Sequence, residues 1–150
     1  YDNFNPEYSH VIPALILKYK KAINLGLSSV EIWGTGNASR EFLYVEDCAR
    51  AIEKSIDADT GSEPMNVGTG SEISIKELAR LIADKCGYSG DIIFNDKFPD
   101  GQPRRCLDTS LAKEKLDFTT ETNLDIGLDK TIEWYNNNEG IFVDYFDHIQ

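Results

Sequence analysis

Apolar residues recur at Val11, Ile12, Leu15, Ile16, Tyr19 and Ile23. That spacing lines one face of a helix and predicts one over Val11–Leu25. Ser9 precedes it as an N-cap and Gly26 follows it as a stop. Pro13 is tolerated because it falls in the first turn. Ser29–Trp33 and residues 41–45, with Val30, Ile32, Phe42 and Leu43 apolar, predict short strands. Gly34-Thr35-Gly36-Asn37 between them has turn chemistry. Residues 47–56 predict a helix that buries Ala49, Ala51, Ile52 and Ile56. Residues 60–64 break the pattern, and 65–67 predict a short strand. Ser74, with Glu77 three residues later, is a capping box opening a helix with the stripe Leu78, Leu81 and Ile82; Gly87 ends it. A strand over 91–94, a loop over 95–105 with Pro99 and Pro103, and helices over Ser110–Leu116 and 124–138 complete the pattern. The tail, residues 141–150, carries Phe142, Tyr145 and Phe146, too apolar for a free end, and is expected to dock. This alternation is an α/β or α+β pattern. The strands are too few and too short for a complete doubly wound sheet.

Composition narrows the function classes. A chain of 150 residues with 41% hydrophobic residues is long and apolar enough to bury one core, so a disordered chain is excluded. No apolar run approaches the roughly 18 residues of a membrane helix; residues 14–17 are cut off by Lys18. The start shows no secretory signal, and Tyr1 stands where an initiator methionine would, so the chain reads as a piece of a longer protein. Twenty-six Asp and Glu against 15 Lys and Arg leave a net charge of −11, which argues against a nucleic-acid footprint. A small anionic ligand then needs cations that converge locally. Three scattered cysteines without C-x-x-C predict neither a disulfide framework nor a zinc ribbon, and fit a reducing compartment. With His10 and His148 as the two histidines, no multi-histidine metal site is expected.

Several groups can do chemistry. Gly34-x-Gly36 and Gly68-x-Gly70 suggest dinucleotide loops, but Ser39 and Ile73 stand where the third glycine belongs, so both read as turns. Arg40, after the first turn, can fork onto a diphosphate or lie solvated at a strand end. Trp33 can cover a base or sugar, or pack in the core. Asp100-Gly101-Gln102-Pro103-Arg104-Arg105 joins a carboxylate, a turn and two arginines. Extended neighbours point to opposite sides, so at most one of Arg104 and Arg105 faces a given ligand. His10 stands at a helix start, where an imidazole suits general acid–base work or is simply exposed. Lys18 lies about 12 Å further along that helix and about 80° around it, a span that permits a shared ligand. The residues alone give an α/β domain with a possible phosphate-binding face.

Taken together and in order, certain strings carry more. They are Asp2-Asn3-Phe4, Ser9-His10-Val11-Ile12-Pro13-Ala14-Leu15, Trp33-Gly34-Thr35-Gly36, Arg40-Glu41-Phe42-Leu43, Val45-Glu46-Asp47, Asn66-Val67-Gly68-Thr69-Gly70, Ile75-Lys76-Glu77-Leu78-Ala79 and the 100–105 string. The chain resembles the C-terminal half of the GDP-L-fucose synthase family, the GDP-4-keto-6-deoxy-mannose epimerase–reductases among the extended short-chain dehydrogenase/reductases. The resemblance implies an α/β, α+β-like substrate-binding part without the Rossmann N-terminal part. Residues 1–150 are then a C-terminal substrate-binding domain fragment, with segments that would pack on the missing NADP-binding domain. The family epimerises C3 and C5 of a 4-keto sugar nucleotide and reduces C4 with NADPH. The resemblance makes His10 the epimerisation acid–base and an NADP contact. Lys18, Trp33 and Arg40 match positions on the GDP-sugar, Arg105 a basic position, and Asp100 an acidic one in the same loop. It further implies a GDP-sugar partner, a homodimer for the full-length protein, and a cytoplasmic setting. The family's Tyr-x-x-x-Lys pair and glycine fingerprint do not occur here, and its partner cysteine lies in the other half. The chain alone is therefore expected to be inactive. The competing readings are the substrate domain of another NAD(P)-dependent nucleotide-sugar epimerase or dehydratase, and a non-catalytic sugar-nucleotide-binding module.

Overall fold

A computed structural model of the chain describes residues 2–5 and 8–142. Its elements run α1 (Val11–Leu25), β1 (Ser29–Trp33), β2 (Ser39–Arg40), α2 (Val45–Ile56), β3 (Ile73–Ser74), α3 (Ile75–Cys86), β4 (Asp91–Asn95), β5 (Arg104–Arg105), α4 (Ser110–Leu116) and α5 (Leu124–Asn137). A single 3-10 turn, Glu139–Ile141, follows. The architecture is mixed α/β, with five helices around two small sheets.

The main core forms where α1 packs on α3, α3 on α5, and β1 on α1. Leu15, Ile16, Leu17 and Tyr19 of α1 meet Leu78, Ala79 and Ile82 of α3, and Leu128, Ile132 and Tyr135 of α5. β1 and β4 pair in parallel from Ser29↔Asp91 to Trp33↔Asn95. Val30 and Ile32 point into this core and alternate with exposed Glu31 and Trp33, as the two-residue period of a strand requires. The second sheet has the order β3-β2-β5, antiparallel on one side of β2 and parallel on the other.

Local signals set several boundaries. Gly26 ends α1 in the left-handed region at φ 64°, where its N–H reaches the Ala22 and Ile23 carbonyls. Ser74 and Glu77 form both bonds of the capping box on α3. The Asn123 side chain caps α5 by accepting from the Ile126 N–H at 2.9 Å.

Four expectations need correction. Ser9 does not cap α1. His10 holds the N-cap position with no side-chain bond, its carbonyl accepting from the Ala14 N–H, and the buried Ser9 Oγ has no partner among the described residues. Residues 41–45 form no strand: 41–44 are irregular and Val45 already opens α2, while the strand lies just ahead at Ser39–Arg40, where its partners β3 and β5 are each only two residues long. Residues 65–67 form no strand; no partner strand lies beside them among the described residues, and Met65 and Val67 lean on a smaller core instead. That smaller core contains Ala51, Ala112, Leu116 and Phe118. Finally, α2 buries Ala51 but exposes Ala49, Ile52 and Ile56.

Of the apolar tail, Phe142 does dock. Its ring lies 4.7 Å from Phe4 and stacks on Tyr135 at 5.2 Å, joining the two ends of the described chain. Tyr145 and Phe146 lie outside the described residues.

Candidate functional site

β1 ends at Trp33 and β2 begins at Ser39, so residues 34–38 connect the first sheet to the second. Trp33 is 62% exposed despite its size. It is not a core residue: its ring stacks on Phe98 at 4.4 Å with 12° between the planes. The Lys18 ammonium lies 5.8 Å from the Trp33 centroid while donating to the Glu31 carbonyl at 2.9 Å. Partial burial draws the Lys18 pKa below the ordinary lysine value, and Glu31 opposes the shift without cancelling it.

The 98–105 loop folds against this turn. Asp100 accepts from the Thr35 N–H at 2.6 Å and the Thr35 hydroxyl at 2.5 Å. The Thr35 hydroxyl holds the Asp100 carboxyl below the usual carboxylate range; desolvation opposes this, and the Thr35 and Gly36 N–H groups add to the lowering. Gly34 sits at φ 87°, and a Cβ there would run into Asp100 Oδ1, so glycine is required on both counts. Arg40 Nη1 donates to the Ser39 and Gln102 carbonyls at 2.6 and 2.7 Å. Its Nη2 and Nε have no hydrogen-bond partner among the described residues.

Arg40 and Arg105 are direct register partners in the parallel β2–β5 pair. Of the two adjacent arginines, Arg104 is the one occupied: it binds Glu72 at 2.8 Å, and Glu72 in turn accepts from the Ser39 hydroxyl. Arg105 is exposed, and its guanidinium has no hydrogen bond or ion pair among the described residues. Two arginines side by side repel, so this arrangement favours an anion between them.

Lys18, Trp33, Arg40, Asp100 and Arg105 therefore share one ridge, connected through contacts that include Phe98, Thr35 and the Gln102 carbonyl. His10 stands apart, exposed at the other end of α1, with no side-chain bond among the described residues. Sequence reasoning missed Phe98, Thr35 and Glu41. An aromatic inside a polar loop, and a threonine between two glycines, were the available signals. The ridge is an open face. Two hollows lie elsewhere: one of about 180 Å³ borders Phe42, Thr69 and Leu124, and one of about 550 Å³ lies between the ends of α1 and α3.

Neither Gly-Thr-Gly turn fits a dinucleotide diphosphate. A phosphate-cradling loop presents free N–H groups. Here the N–H groups of Thr35 and Gly36 face Asp100, and those of Thr69 and Gly70 face Glu41.

Comparison with known proteins bears on this arrangement. Residues 1–68 match the model of the NAD dependent epimerase/dehydratase family. The chain is 42% identical over 137 residues to the probable GDP-L-fucose synthase 1 of Oryza sativa subsp. japonica, which covers 91% of this chain and 42% of that protein. It is 38% identical to the GDP-L-fucose synthase of Escherichia coli, over 95% of this chain and 47% of that protein. A crystal structure of a GDP-L-fucose synthetase from Naegleria fowleri bound to NADP superposes with a TM-score of 0.85 at 28% identity, over 93% of this chain and 44% of that chain. Sequence and fold comparisons thus agree in their likeness to GDP-L-fucose synthases, and the chain spans less than half the length of the curated relatives it matches.

Proposed function

We propose that this chain is the sugar-nucleotide-binding part of a GDP-L-fucose synthase-like enzyme, one that epimerises C3 and C5 of a GDP-4-keto-6-deoxy-mannose and then reduces C4 with NADPH. The observation that carries the reading is the Arg40–Arg105 pair. In a chain of net charge −11, two guanidinium groups with free N–H donors are set at adjacent register positions. Diphosphate oxygens accept such donors in a fork.

In this reading Lys18 adds a third cation, and the Trp33 face covers the sugar nucleotide. Asp100 shapes the loop by holding Thr35. His10 moves a proton at the carbons beside the ketone, whose acidity the carbonyl raises. His10 also touches the NADP. The dinucleotide's own phosphates are held by a part of the enzyme outside these residues, since both glycine turns are filled by carboxylates. The exposed stripe of α2 packs on that part, and the 150-residue chain alone does not turn over NADPH.

The test is an NMR titration of the chain with GDP-fucose and, separately, with UDP-glucose. The expected result is selective shifts of the Trp33 indole and of Arg40 and Arg105 with the GDP-sugar. Equal shifts with UDP-glucose favour another nucleotide-sugar epimerase, and no shifts with either overturn the reading of this face. NADPH oxidation by the chain alone overturns the inactivity.

A further inference from the structure

The segment that carries Arg105 is held between two carboxylates. At its start, Asp100 binds Thr35. Past its end, the Leu107 N–H donates to Glu41 Oε2 at 2.7 Å. The other oxygen, Oε1, accepts from the Thr69 N–H and from the Gly70 N–H at 2.8 Å. A Cβ on Gly68 would run into this oxygen, which gives the second glycine turn its meaning: it is a receptor for an internal carboxylate. Glu41 therefore joins three stretches of chain, namely the end of β2, the 68–70 turn and the residue two places beyond Arg105.

This tie bears on the anion face because β5 is weakly anchored. It pairs with β2 at two positions only, and both its residues are exposed. A ladder that short does not hold an exposed strand by itself. The two residues after Arg105 both bond to Glu41, Cys106 through its side chain and Leu107 through its N–H. Adjacent residues in extended chain point to opposite sides, so Arg40 faces the ridge while its neighbour Glu41 reaches back to the framework. Partial burial pushes the Glu41 pKa up, but the N–H groups of Leu107, Gly70 and Thr69 more than offset it, and the carboxyl stays below its ordinary range.

We propose that Glu41 is a positioning residue of the anion-binding face, fixing the chain after Arg105 so that the Arg105 guanidinium stays beside that of Arg40. The proposal rests on the reading of that face as a diphosphate site. Glu41 itself touches no ligand.

The experiment measures GDP affinity by calorimetry for the chain and for E41Q, R105A and the double variant E41Q/R105A, with thermal unfolding of each. Glutamine keeps one carbonyl oxygen and turns an NH₂ group toward the other set of donors, so one of the two ties is lost. The expected result is that E41Q weakens GDP binding about three- to tenfold, a fraction of what a full charged hydrogen bond carries. The double variant is expected to bind no more weakly than R105A, because Glu41 acts through Arg105. A Glu41 that serves only the fold lowers the midpoint of unfolding, leaves the affinity of the folded chain unchanged, and adds nothing specific to Arg105. Unchanged affinity in E41Q, or losses that add in the double variant, overturns the assignment of Glu41 while the parent chain still binds GDP. Absence of GDP binding by the parent chain overturns the reading of the face, and the proposal with it. Should E41Q not fold, E41D serves: it keeps the charge, and its shorter side chain cannot reach Leu107 and the 69–70 turn together. The same outcomes then apply.

Discussion

Helices α2 and α3 are the same length, 12 residues, and both are amphipathic, yet they meet opposite fates. α3 lies between α1 and α5 and buries Leu78, Ala79, Ile82, Ala83 and Cys86. α2 rests on α4, buries Ala51 and Asp47, and turns Val45, Ile52 and Ile56 to solvent. Ile82 is fully buried, whereas Ile56 is 74% exposed. The apolar stripe is equally legible in both. A stripe states which face is available for burial, and only a neighbouring element decides whether it is buried. α3 is held by its apolar face; α2 is held by a polar tie at its first turn.

The largest expected effect tests the apolar half of that contrast. Ile82→Ala leaves a cavity where α1, α3 and α5 meet and is expected to lower unfolding free energy by about 3 kcal/mol, within the range of roughly 2–5 for such truncations. Ile56→Ala, on α2, is expected to cost less than about 0.5 kcal/mol. Urea unfolding of both variants measures the difference. Equal losses would mean that α2 is covered in solution by something that holds the chain together.

Asp47 tests the polar half. It is 2% exposed, and its carboxylate accepts from Arg50 at 2.6 Å and from the Glu121 and Thr122 N–H groups at 3.1 and 2.9 Å. Asp47→Ala strands two N–H groups and takes one partner from the Arg50 guanidinium, which keeps Glu121 and the Thr119 carbonyl, for an expected loss of about 2–3 kcal/mol. Burial alone would raise the Asp47 pKa, but Arg50 and the two N–H groups outweigh it and hold the carboxyl below its ordinary value. The sign of the pH dependence follows. The stabilisation is complete above the unfolded value, near 4. It is lost as pH falls through the lower folded value, because the unfolded chain then binds the extra proton. Acid titration of stability should show a steep limb below about pH 4 in the parent chain and a shallower one in the variant.

These two helices also show what could be read in the sequence. The boundaries of α1, α3, α4 and β1 were legible because their determinants are local: apolar period, glycine stop and capping box. The second sheet was not, because each of its strands is two residues long and exists only through partners distant in the chain. The same holds for the face of α2 and for residues 65–67, where the pattern was present and the partner was not. At the candidate site, the prominent side chains were legible from the residues and from family resemblance. The links between them were not: the Trp33–Phe98 stack, the Asp100–Thr35 clasp and the in-register arginines all join residues at least 62 positions apart. The two glycine pairs were correctly read as turns, but nothing local says that each receives a carboxylate.

A smaller effect probes local capping on α3. Ser74→Ala removes the acceptor of the Glu77 N–H and one side of the capping box. The expected loss is about 1 kcal/mol by urea unfolding, and the midpoint of acid unfolding should rise, because Ser74 is the main group that holds the Glu77 carboxyl below its ordinary range. A loss several times larger would mean that α3 is less firmly held by its buried face than its packing indicates.

The smallest effect on stability is the most informative about α2. Ile52→Lys and Ile56→Lys place charges on a face that is already in water, so each is expected to change unfolding free energy by less than about 0.5 kcal/mol. Lysine is a good helix former, so α2 itself is not weakened. What should change is the apolar surface. Val45, Ala49, Ile52 and Ile56 stand four, three and four residues apart, one continuous stripe on the helix. Exposed stripes of this kind drive association. The double variant should therefore bind less of a hydrophobic dye and sediment as a smaller species at high concentration, with unfolding unaltered. If stability falls together with dye binding, the stripe is already buried in the chain in solution, and the contrast between α2 and α3 disappears. If stability holds while association is lost, α2 is a finished helix whose apolar face belongs to an interface.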